Sequence, residues 1–199
     1  DFISMSAHKI YGPKGIGALY KRAGINIPSF VHGGAQEKKK RAGTENTAGI
    51  IGFGKAAEMA MESLSEHAAH SDKLRRKLWD RISKEVPGVS LNGPADFTKR
   101  HPGNLNVSFD FVEGESILLL LDAYGISVST GSACSSESLD TSHVLSALDV
   151  PIVKANGAVR FTVGDFTTEE DIDYVVDCLK TIIAKLRELS PVNGMEGWD

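Results

Sequence analysis

The sequence predicts an α/β chain in more than one part, and three observations carry that prediction. Two short apolar runs bounded by glycine, residues 2–5 and 15–20, read as strands. A stretch of small and apolar residues, 48–64, reads as a helix that carries the chain between two domains. Beyond it, strand-like and helix-like segments mix in the manner of an α+β domain. With 199 residues and 41% hydrophobic content, the chain suffices for one large domain or two small ones.

Each later element has its own signal. Leu74, Leu78, Ile82 and Val86 recur at spacings of four, which predicts an amphipathic helix over 71–86 with charge on the opposite side. Residues 89–91, 105–109 and 126–128 read as strands, with an apolar helix over 115–124 between the last two. Residues 158–163 give a further strand. Thr167 to Glu170 has the form of a capping box, a hydroxyl with a carboxylate three residues on, and helix follows to about 189. Ile172, Val175, Val176, Leu179, Ile182, Ile183 and Leu186 supply the buried stripe of that helix.

Charge and cysteine usage exclude several classes. Lys and Arg total 22 against 26 Asp and Glu, a formal charge of -4, so neither nucleic acid nor an anionic membrane is expected as the main partner. No apolar run approaches the ~20 residues of a membrane-spanning helix, and the first residues lack the pattern of a signal peptide. Two cysteines at 134 and 178 make neither a disulfide framework nor a paired zinc motif, and the six histidines form no HxxxH pair. The expected setting is the cytosol or an organelle matrix, with no metal. The opening on Asp1 inside a strand-like run predicts a fragment.

Four places carry candidate chemistry. Lys9 ends an apolar run before a glycine-rich turn, where partial desolvation of an amine favours its neutral, nucleophilic form. The alternative is a solvated loop lysine. Ser6 and His8 flank it, and a hydroxyl with an imidazole suits a phosphate or an aldehyde. Gly12 to Gly17 lacks the Gly-Lys-[Ser/Thr] ending of a nucleotide-binding loop and reads as a turn. Lys38 to Thr44 is a basic loop, of the kind usually solvated. Cys134, in Gly131-Ser132-Ala133-Cys134, lies among small residues without periodicity, which suits either a mobile thiolate or ordinary loop burial. Cys178, beside an apolar stripe, reads as structural. Arg160 interrupts an alternating strand, where a guanidinium serves either a substrate carboxylate or a structural ion pair.

Taken in order, Ser6-Ala7-His8-Lys9-Ile10-Tyr11-Gly12-Pro13-Lys14-Gly15-Ile16-Gly17, Gly33-Gly34-Ala35-Gln36-Glu37 with Arg41-Ala42-Gly43-Thr44-Glu45-Asn46, Gly131-Ser132-Ala133-Cys134 and Arg160-Phe161-Thr162-Val163-Gly164 resemble the C-terminal half of NifS/IscS-type cysteine desulfurases. These belong to the class V aminotransferase branch of fold-type I pyridoxal phosphate enzymes. The resemblance implies that residues 1–63 are the remainder of the large cofactor domain and that 64–199 form an α+β small domain. It implies that Lys9 bonds the aldehyde of pyridoxal 5'-phosphate, that Ser6 and His8 help hold the phosphate, and that Thr44 reaches the phosphate of a neighbouring subunit in a homodimer. Cys134 matches the persulfide-forming cysteine and Arg160 the arginine that binds the carboxylate of L-cysteine. The persulfide would pass to a sulfur-acceptor or iron-sulfur scaffold protein. A parallel sheet beginning at Phe2 would lack most of its strands, and the phosphate-cradling turn, the acid that pairs with the ring nitrogen and the aromatic stacked on the ring lie in the preceding half. Activity of this chain alone is therefore not implied. A selenocysteine lyase and a non-catalytic fragment that binds a scaffold are the alternatives.

Overall fold

In the computed structural model, which describes residues 1–130 and 142–190, the first apolar run becomes β1 (Phe2–Ser6) and pairs with β2 (Gly17–Lys21). The pairing is antiparallel, from Phe2↔Lys21 to Ser6↔Gly17, where the resemblance implied a parallel sheet beginning at Phe2. The connection over 7–16 is too short for the crossover that parallel strands require. At Gly17 a Cβ would stand 2.6 Å from the Met5 carbonyl oxygen, so a side chain there would push the ribbon apart.

A single left-handed turn, α1 (Gln36–Lys39), follows, with Glu37 and Lys38 at positive φ. Next comes α2 (Thr47–Glu85), one continuous helix where two were expected from separate patterns over 48–64 and 71–86. The intervening residues 65–70 carry no Gly or Pro to stop it. Asn46 opens it by accepting from the Gly49 amide at 3.1 Å. The chain divides into two compact units, Asp1–Leu64 and Ser65–Asp199.

In the second unit, β3 (Val89–Leu91), β4 (Asn104–Phe109) and β5 (Ala158–Thr162) form an antiparallel sheet in that order. Alternation along the strands separates two faces. Leu105, Val107, Phe109, Val159 and Phe161 join the core with Leu74, Leu78 and Ile82 of α2 and Ile117 and Leu121 of α3 (Gly114–Ala123). The opposite face carries Asn104, Asn106, Ser108, Arg160 and Thr162. Residues 126–128 form no named strand: Ile126 and Val128 pack on the core, and only Ser129 bridges Arg160.

Two short helices, α4 (His143–Ala147) and α5 (Ile152–Asn156), have no counterpart in the sequence reading. They bring Leu145 and Ala155 against Ala158 in a small satellite cluster. The last helix, α6 (Glu169–Leu189), starts one residue later than its motif suggested. Thr168, not Thr167, is the N-cap, and its partner in the capping box is Asp171. Thr167 instead accepts from the Gly164 amide at 3.2 Å. Cys178 is buried on this helix. No described helix is long and apolar enough to cross a membrane.

Candidate active site

Lys9 stands on a 3-10 turn, Ala7–Ile10, directly after β1. Ala7 is fully buried and holds the turn at both ends: its amide donates to Ile16 O at 3.1 Å, and its carbonyl accepts from the Gly12 amide at 2.9 Å. Tyr11 closes the turn in the left-handed region, φ 62°. A Cβ on Gly12 would lie 2.9 Å from Ala7 O and 3.1 Å from Ala56 Cβ, and one on Gly52 would lie 2.6 Å from Pro13 Cγ. The small residues of 48–64 therefore let the turn sit against α2 within the first unit.

That packing leaves Ser6, His8 and Lys9 exposed together on one turn. Within the first unit none of the three side chains forms a hydrogen bond or ion pair among the described residues. An amine, an imidazole and a hydroxyl, all uncommitted, form a donor set that fits a phosphorylated aldehyde: carbonyl chemistry at the amine and anion binding beside it.

Thr44 is exposed on a separate loop that is braced from within. Gly43 N donates to Gln36 Oε1 at 3.2 Å, and Arg41 Nη1 donates to Gly43 O at 2.9 Å. Arg41 also pairs with Glu45. Lys40 Nζ reaches Asn26 Oδ1 at 2.9 Å and Ile27 O at 2.6 Å, while Ser29 Oγ donates to Val31 O at 2.8 Å. Thr44 is thus held between two anchored neighbours. The basic run is partly consumed in this bracing, which its composition alone did not reveal.

In the second unit, Arg160 lies on β5 with β4 on one side and the isolated bridge to Ser129 on the other. It is the register partner of Asn106, and its amide donates to Ser129 O at 2.6 Å while its carbonyl accepts from Ser129 N at 3.2 Å. Its Nε is buried and has no hydrogen-bond partner among the described residues. A fixed backbone with an uncommitted guanidinium suits two-point recognition of a carboxylate. Asn106, its register partner, and Asn92, which bonds to Asn106 from the far side, were not singled out from sequence, because the register that joins the row has no local signal. Cys134 lies outside the described residues.

These features gain context from known proteins. Residues 1–175 match the family model Aminotransferase class-V, and the chain belongs to that family. It is 55% identical to the cysteine desulfurase IscS of Dictyoglomus turgidum, over 96% of this chain and 48% of that protein. The IscS of Methanosarcina thermophila is 48% identical, over 98% of this chain and 48% of its own length. Among solved structures, a NifS-like protein superposes with a TM-score of 0.82 at 39% identity, covering 93% of this chain and 47% of its own. A NifS-like protein of Rickettsia africae gives 0.80 at 29% identity, with 92% and 48% covered. The chain spans about half the length of the curated relatives it matches. Class-V aminotransferases and cysteine desulfurases are pyridoxal-phosphate-dependent, and the α/β, fold-type I class expected from the motifs agrees with these neighbours.

Proposed function

We propose that this chain is the lysine- and cysteine-bearing part of a cysteine desulfurase that converts L-cysteine to L-alanine and an enzyme-bound persulfide. The observation that carries the reading is the Lys9 turn: an exposed, uncommitted amine next to His8 and three residues after Ser6, locked beneath by Ala7 and Gly12. The relatives named cysteine desulfurase support it.

In this reading Lys9 holds pyridoxal phosphate through its amine, Ser6 and His8 contact the phosphate, and Thr44 contacts the phosphate of a second subunit in a homodimer. Residues 1–63 belong to the cofactor domain and 64–199 to the small domain. When bound, the cofactor supplies an electron-withdrawing ring that acidifies the substrate α-carbon and makes the substrate sulfur open to attack. Arg160 binds the α-carboxylate and orients the substrate. The Lys9 amine is the base that would take the α-proton. Cys134, as thiolate, attacks the substrate sulfur: the new S–S bond forms as the C–S bond breaks, and the carbon fragment takes up a proton on its way to alanine. The persulfide then passes to an acceptor, with an iron-sulfur scaffold protein as the expected class.

The test is to supply L-cysteine and pyridoxal phosphate, alkylate the product and map the persulfide by mass spectrometry. The expected site is Cys134, and Cys134→Ser removes both the persulfide and reductant-released sulfide. Undiminished sulfide from Cys134→Ser would overturn the assignment.

A further inference from the structure

The polar face of the second sheet holds more than Arg160. Asn92, Asn106 and Arg160 form one row across it: Asn92 N donates to Asn106 O at 3.0 Å, and Asn106 is in register with Arg160. Asn92 Nδ2 donates to Asn106 Oδ1 at 2.7 Å and to Ser108 Oγ at 2.8 Å. The Asn106 carboxamide is therefore oriented with its oxygen engaged toward β3. Its own Nδ2 makes no hydrogen bond among the described residues.

Directly opposed residues on antiparallel strands place their Cβ atoms about 4.5–5.5 Å apart on one face. An oriented amide donor thus stands beside a guanidinium whose Nε is buried and unpartnered. Two adjacent, uncommitted donors on a rigid sheet suit one anion with several lone pairs. A neutral amide adds a donor without adding a second charge.

We propose that Asn106 is a specificity-determining residue, donating beside Arg160 to the α-carboxylate of the amino-acid substrate, with Asn92 as the positioning residue that aims it. This rests on the carboxylate-binding role proposed for Arg160. A carboxylate bound here keeps two kinds of contact, and an amine without a carboxylate gains nothing from either.

The experiment is an NMR titration of the full chain with L-alanine and, separately, ethylamine, read at the backbone amides of Val159 and Phe161. The expected result is a saturable shift with L-alanine alone that Arg160→Gln abolishes. Asn106→Asp, which keeps an acceptor for Asn92 but faces the carboxylate with like charge, weakens L-alanine binding about tenfold, as does loss of one charge-assisted hydrogen bond. Asn106→Ser, smaller and neutral, gives the same direction and serves if the aspartate variant fails to show the native amide spectrum. Loss of binding in Arg160→Gln with both Asn106 variants within about twofold of the parent, a difference of about 0.4 kcal/mol, would overturn this inference alone. No saturable shift with L-alanine in the parent chain would overturn the role of Arg160 as well.

Discussion

Arg75 lies at zero exposure on α2, one position from the core residue Leu74, although the helix pattern assigned charge to the outer side. Its guanidinium is accommodated because Asp72 pairs with it, His101 O accepts at 2.9 Å, Phe97 O accepts at 3.1 Å, and the Phe97 ring lies 4.9 Å away. Asp72 is a local partner on the same helix, but the two carbonyls and the ring come from a loop more than twenty residues on, so no local window of sequence announces the burial. Arg75→Ala removes charge-assisted hydrogen bonds and opens a void, and because Asp72 is partly exposed and keeps Arg76 as a partner, the expected loss is about 1.5–3 kcal/mol. Urea denaturation checks it, and a loss below about 1 kcal/mol would mean that the site is wet like an ordinary surface pair. By contrast Lys9 and Arg160 were legible as candidates, because a lysine before a glycine turn and an arginine in an apolar strand stand out locally. Asn106 was not, since its meaning depends on register.

At the scale of elements, α2 and α6 are joined by a ladder of ion pairs. Lys73 reaches Glu169 at 2.5 Å, Lys77 reaches Asp173 at 2.9 Å, and Arg81 reaches Asp173 and Asp177 at 3.1 and 3.0 Å. Arg81 and Lys180 converge on Glu85 at 2.6 and 2.9 Å. Hydrogen bonding from Arg81, then from Lys180, lowers the Glu85 carboxyl from 4.5 to about 2. Glu169 is lowered chiefly by Lys73 and Asp173 chiefly by Lys77. A carboxyl depressed in the folded state contributes stability that is present above its unfolded value and lost as pH falls through the folded one. For Glu85 that window runs from 4.5 down to about 2. The melting temperature should therefore decline across this window, and Glu85→Gln should flatten part of the decline; an identical pH profile in the variant would contradict the pairing.

The same scale shows what pattern reading recovers. The apolar periods of 71–86 and 169–189 gave their helices, since a buried stripe repeats locally. The join of 48–64 to 71–86 was missed because the polar residues between them carry no stripe to read. The short α4 and α5 bury only a few side chains and leave no period.

At the scale of the whole chain, the residues of the proposed site fall in two units: the Lys9 turn and Thr44 loop in Asp1–Leu64, and Arg160 with Asn106 in Ser65–Asp199. Membership of the class-V aminotransferase family unites them. Ser6, His8, Lys9 and Thr44 gain their meaning in the proposed function only as a set around one phosphorylated aldehyde. The most direct measurement is to mix the chain with pyridoxal phosphate, reduce with borohydride and map the adduct by mass spectrometry. The account predicts modification centred on Lys9, lost in Lys9→Ala. Labelling spread evenly over the surface lysines, or unchanged in that variant, would contradict it.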